Sequence, residues 1–139
     1  MDYRKTKEVI AVRLDDGDEI NKSLTELCKK EKITGAIVTG VGCARAVEIG
    51  HYHSKKKIYH RKRFEGTMEI VSLNGNIAVH DGVARPHLHI VLGTHDQAAI
   101  AGHLLMAEVH PTCEIMLIPF KMKLGRKRSE EHEINLLSF

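Results

Sequence analysis

Residues 85–114, RPHLHIVLGTHDQAAIAGHLLMAEVHPTCE, decide how the rest of the chain is read. The segment opens with His87-Leu88-His89 and runs through Ile90, Val91 and Leu92 to Gly93. An apolar, β-branched run ending in glycine predicts a strand. Side chains alternate along a strand, so His87 and His89 share one face and Leu88 points to the other. A third imidazole, His103, follows Gly102, where a missing side chain allows close backbone approach. Three neutral imidazoles and an open position suit a divalent metal, zinc first among them.

Thr94–Glu108 reads locally as a helix, because DQAAIAGHLLMAE is rich in alanine and leucine. Thr112–Lys121 (TCEIMLIPFK) then predicts a buried strand. Upstream, Thr67–Leu73 and Asn76–His80 flank Asn74-Gly75, a strong hairpin signal. Asp81-Gly82 marks another turn, and the chain then enters the histidine strand, giving an antiparallel meander of three strands. Glu8–Leu14, Ala36–Val41, Ala44–His53 and Ile134–Phe139 also have strand patterns. Asp15-Asp16-Gly17-Asp18 is turn chemistry, with Asp18 as the expected cap of an amphipathic helix over Glu19–Lys32. Strands and helices do not alternate, which argues against a doubly wound nucleotide fold. Gly40-Val41-Gly42 lacks the third glycine and the following helix of a phosphate loop. The expected fold is a single α+β domain over residues 1–139. It is a largely antiparallel sheet of six to eight strands with one or two helices packed on it.

The chain has 139 residues, enough to bury a core without metal or disulfide support. Its three cysteines, Cys28, Cys43 and Cys113, form no Cys-x-x-Cys, so neither a disulfide framework nor a cysteine zinc site is indicated. Three Phe, three Tyr and no Trp speak against the stacking platforms of single-strand nucleic-acid binders. A net charge of +3 is modest for a DNA-binding domain. No apolar stretch is long enough for a leader or a membrane span, so a cytoplasmic protein with no membrane partner is expected. Cations concentrate in two places. SKKKIYHRKR brings Lys55, Lys56, Lys57, Arg61, Lys62 and Arg63 together without an acid, and KMKLGRKR brings Lys121, Lys123, Arg126, Lys127 and Arg128. The first is the candidate phosphate-contacting surface, since clustered cations release counterions on meeting a polyanion. A solvated edge or loop accounts for the same charges.

The order Arg85-Pro86-His87-Leu88-His89, Gly102-His103-Leu104-Leu105, Val109, Pro111-Thr112 and Glu114-Ile115 resembles the PPC (plants and prokaryotes conserved) domain family. Glu69–Ile77 (EIVSLNGNI) resembles that family's other signature, and the likeness extends from about Arg13 to Leu137. The resemblance implies a stand-alone prokaryotic domain to which DNA binding is ascribed, assembled as a homotrimer. It also implies a tight turn at Gly40–Gly42 and an extended or turning backbone before His103. The family carries a glycine pair there, the first of which is Ala101 in this chain, so helix and extended chain both stay open for Thr94–Glu108. The AT-hook of plant relatives is missing, because Gly125-Arg126-Lys127 has no proline.

Two functions follow. The first is a DNA-binding or regulatory homotrimer carrying a divalent metal on His87, His89 and His103. The alternative is a metal-dependent enzyme or small-ligand-binding protein using the same histidines, with Glu69, Glu114 or His110 as candidate general bases. The sequence names no substrate, so catalysis is ranked second.

Overall fold

Four long strands close on one another, and the remaining elements are laid around them. In chain order the elements are β1 (Asp2–Lys5), β2 (Ile10–Asp15), α1 (Ile20–Glu31), β3 (Gly35–His53), β4 (Ile58–His80), β5 (Val83–Gly93), β6 (Ala99–Pro119), β7 (Gly125–Arg128) and β8 (Asn135–Ser138). The computed structural model describes residues 1–139. β3 pairs with β4, β4 with β5, β5 with β6, and β6 again with β3, all antiparallel. The β1–β2 pair extends the sheet from the far half of β6. The β7–β8 hairpin joins β4 through one parallel pair, Val79 and Gly125. One helix beside eight strands makes the fold sheet-dominated rather than a balanced α+β arrangement.

Several predicted breaks turn out to be continuous strand. Asn74-Gly75 is not a hairpin turn but the middle of β4, and the predicted three-strand meander is the two strands β4 and β5. A Cβ on Gly75 would sit 2.0 Å from the carbonyl oxygen of His87, so glycine is there to let β5 lie close. Asp81-Gly82 is the true turn, with φ of 50° and 77°. Gly40–Gly42 likewise lies within β3, where register shifts bend the strand instead of reversing it. Such bends let β6 pair with β5 through one half and with β2 through the other.

Of the two conformations open to Thr94–Glu108, the chain takes the extended one implied by the family resemblance, a turn followed by β6. Thr94 and Ala98 close the turn through a 2.9 Å backbone hydrogen bond, and β6 begins at Ala99. From there Leu104, Ala107 and Val109 enter the core along the ladder with β3, and this burial overrides helix propensity. Gly102 does allow close approach, since its Cβ would meet Ile49 at 3.0 Å.

α1 lies where its spacing predicts. Ile20, Leu24, Leu27 and Cys28 are buried, and the helix packs on β5 and β6. Its cap is Glu19 rather than Asp18: the Glu19 carboxylate accepts from Asn21 N (3.1 Å), Lys22 N (2.7 Å) and Ala107 N of β6 (3.2 Å). The Asp18 carboxylate is already engaged, by the backbone amide of Asp15 at 2.8 Å and the chain's amino terminus at 2.9 Å. The short strands β1 and β7 carry charge along most of their length, which hid them from an apolar pattern.

Gly75→Ala is expected to destabilise the protein by about 1–3 kcal/mol, the usual range for forcing volume into a packed site. Urea denaturation midpoints read this directly, and an unchanged midpoint would show that β5 does not depend on the close approach.

Candidate metal centre and its cavity

Strand pairing brings the three histidines together. His89 of β5 pairs directly with His103 of β6, while His87 and His89 pair on the other side with Asn76 and Asn74 of β4. Leu88, Ile90 and Leu92 are buried on the opposite face, as alternation predicts. Ring centroids are 5.7 Å apart for His87–His89, 5.0 Å for His87–His103 and 5.4 Å for His89–His103. One ring nitrogen from each lies within 4.8 Å of the others. Tetrahedral zinc at about 2.0–2.1 Å from nitrogen needs ligand atoms about 3.4 Å apart, so modest side-chain rotation closes the set. Nδ1 of His103 is buried with no hydrogen-bond partner, which marks a nitrogen lacking its acceptor or ion. The donor set fits a borderline divalent cation.

Arg126 of β7 is the neighbour that sequence reasoning did not assign to this site. Its Nη2 donates to Nδ1 of His87 at 3.0 Å and to Oδ1 of Asn76 at 2.8 Å, and its Nη1 donates to the Asn135 carbonyl at 3.1 Å. Guanidinium only donates, so Nδ1 of His87 accepts and a neutral ring carries its proton on Nε2. A metal needs a free lone pair on that ring, and Arg126 has to leave Nδ1 to give it one. The only clue in the sequence was the basic run around Arg126, which names no cavity.

Burial holds the His87 imidazole well below its ordinary pKa, down to about 4, and the Arg126 cation adds to the effect. His103 is lowered as well, first by burial and then by His89 and Arg126. Beside the histidines opens a cavity of about 610 Å³, bounded by β5 and the β7–β8 hairpin and reached by His87, His103 and Tyr59. Of the candidate bases, Glu69 and Glu114 do not line this cavity, and His110 is held by Asp16 at 2.8 Å. None of the three serves the histidine site.

The Plants and Prokaryotes Conserved (PCC) domain matches residues 1–121. The chain belongs to this family. Among solved structures, this PCC domain is similar to a protein of Bacteroides thetaiotaomicron described as a "putative DNA binding protein", at 30% identity and a TM-score of 0.96, covering 99% of this chain and 96% of that one. A "metal-containing protein" of Archaeoglobus fulgidus is 29% identical at a TM-score of 0.90, covering 99% and 97%. A plant- and prokaryote-conserved protein of Pyrococcus horikoshii is 29% identical at 0.85, covering 96% and 92%. A search of curated proteins finds no match.

In this PCC domain the first basic cluster surrounds the tip of the β3–β4 hairpin, far along the strands from the core. All six cations are exposed, but several are engaged within the chain. Lys57 lies 3.7 Å from Glu133, Arg61 3.6 Å from Glu48, and Arg63 2.5 Å from Glu65, while Lys62 stands over the Phe64 ring. Lys55 and Lys56 have no ion-pair partner. The second cluster is split: Arg126 and Arg128 line the histidine cavity, and Lys121, Lys123 and Lys127 stay exposed. Cys28, Cys43 and Cys113 are free thiols. The helix is too short to cross a membrane.

Because His87 binds its proton more weakly folded than unfolded, the unfolded chain takes up more protons between about pH 6.5 and 4. The stability this group contributes is present above about pH 6.5 and is lost as the pH falls towards about 4. Urea midpoints of metal-free protein should fall across this window, and less so in His87→Gln. Equal slopes in the two proteins would refute the assignment.

Proposed function

We propose that this PCC domain is a homotrimeric divalent-metal-binding protein whose ligands are His87, His89 and His103. The observation that carries the reading is the convergence of three imidazole nitrogens, from two paired strands, within 4.8 Å. The metal-containing relative from Archaeoglobus fulgidus supports it. Zinc is the metal the nitrogen donors favour, and when bound it supplies Lewis acidity at its open position. Burial in the chain favours the neutral form of His87 and His103, and the fold sets Arg126 against the ring of His87.

Assembly is supported by an exposed apolar stripe. Ile37 and Val41 of β3 and Met116 and Ile118 of β6 are each between 40% and 53% exposed, and Ile37 pairs with Ile118 across the ladder. The outward row Ala11, Met116, Thr39, Asn74, His89, His103 runs unbroken through the pairings. The histidines therefore share a face with the stripe, and a trimer covering it would also shield the metal. Three reduced cysteines agree with a cytoplasmic location.

DNA binding is the second reading. It is favoured by relatives described as "putative" DNA-binding proteins, from Bacteroides thetaiotaomicron and Ralstonia eutropha, and by the exposed hairpin tip bearing Lys55, Lys56, Lys57, Arg61, Lys62 and Arg63. The internal ion pairs leave about three of these cations per chain free for phosphates.

Elemental analysis with light scattering on untagged protein tests the first reading. About one zinc per chain, at three times the 15.6 kDa chain mass, is expected, with the metal lost in His87→Ala/His89→Ala. Arg126→Ala should bind zinc about tenfold more tightly, because Nδ1 is freed and a like charge removed. A parent that takes up no metal from solution would end this reading. For DNA, affinity should weaken with salt at a log–log slope of about −3 per engaged chain, flattened by Lys55→Ala/Lys56→Ala/Lys62→Ala. No duplex binding at low salt would remove the second reading.

A further inference from the structure

The cavity beside the histidines carries three guanidinium groups and a single carboxylate, which pairs with none of them. Arg85 comes from β5, Arg126 and Arg128 come from β7, and all three line it. None of them forms an ion pair anywhere in the chain. The one acid on the wall, Glu133, faces Lys57 instead, at 3.7 Å.

Arg126 is the telling member. It is part-buried, its terminal nitrogens meet only neutral acceptors, and its Nε is buried with no partner at all. A guanidinium drawn out of water without a counter-charge is unfavourable, and a part-buried one in a cavity wall favours an anion beside it. Guanidinium forks match the planar, two-oxygen geometry of a carboxylate. Much of the remaining wall is apolar, with Pro86 on one side and Ile134, Leu136 and Leu137 on the other. Inorganic phosphate would leave that wall unused. At about 610 Å³ the cavity falls within the range of small-molecule sites.

We propose that this cavity binds a small organic acid, its carboxylate held by Arg85 and Arg128 beside the Arg126 charge and its aliphatic body lying against β8. The site does not rest on the histidines holding a metal. The guanidinium charges and the apolar wall are in place without one.

The test is a chemical-shift titration of the full chain, stripped of metal with a chelator, so that failure of the metal reading and of this one stay distinct. The probes are hexanoate, the uncharged hexanamide of equal length, and inorganic phosphate. Hexanoate should shift the arginine side-chain and His103 ring signals to saturation, and hexanamide at the same concentrations should not. Arg85→Gln/Arg128→Gln should weaken hexanoate at least about tenfold while keeping a dispersed, folded spectrum. Arg126→Lys, which keeps the charge, should weaken it less. Equal binding of the amide, tighter binding of phosphate than of hexanoate, or unchanged affinity in the double variant would each overturn the proposal.

Discussion

At Gly75 of β4 no side chain separates the strand from β5, and the two backbones meet there. At that point the β5 backbone lies so near that a single added carbon would fall 2.0 Å from a carbonyl oxygen. The contact sets the register that places His87 opposite Asn76 and His89 opposite Asn74. Register in a sheet is all or nothing for side-chain direction: a slip of one residue would bury the histidines and expose Leu88 and Ile90. Because β6 pairs with β5 as well as with β3, the same register also delivers His103 opposite His89. A site built from two strands of a closed circuit is thus fixed by backbone hydrogen bonds, and side-chain contacts only adjust it.

The electrostatics of that site pull two ways. Three imidazoles favour a cation, yet a cation already stands there in Arg126, whose charge opposes both protonation and metal binding at His87. Neutral ring nitrogens are what a metal requires, so the depressed pKa and the competing arginine have opposite effects on affinity. Arg126 belongs to the β7–β8 hairpin, which meets the sheet through one parallel pair. A metal on His87 would therefore act on this hairpin too, since Arg126 is also bonded to Asn135 of β8.

Much of the site was legible in the sequence because it depends on strand alternation. His87-Leu88-His89 could be read from a period of two, and α1 from its period near four. What failed were boundaries that depend on partners. Asn74-Gly75 and Gly40-Val41-Gly42 carry turn residues, but each lies opposite a neighbouring backbone that needs the space, and a single sequence does not say which strand will lie there. The Ala- and Leu-rich stretch before Glu108 is the same failure in reverse, with local propensity overridden by two ladders and a buried face. Arg126 was visible only as one more member of a basic run. Its place beside His87 comes from a hairpin that folds back over roughly forty residues of sequence, and no local pattern encodes that return.

Charge distribution separates the functional readings more sharply than charge total. The six cations of the β3–β4 hairpin look like a polyanion surface in sequence, yet Glu48, Glu65 and Glu133 neutralise half of them in place. Exposed pairs of this kind contribute little to stability, so they do not prevent a phosphate from competing, but they reduce the gain from counterion release. The cavity arginines are the converse: fewer, part-buried or at the rim, and in no ion pair. Lower local dielectric strengthens the field of an unpaired charge, so three such groups around a concave wall attract a small anion more selectively than a larger number on an open tip. The chemistry that the fold concentrates is accordingly at the histidine cavity, and the hairpin tip is its more solvated periphery.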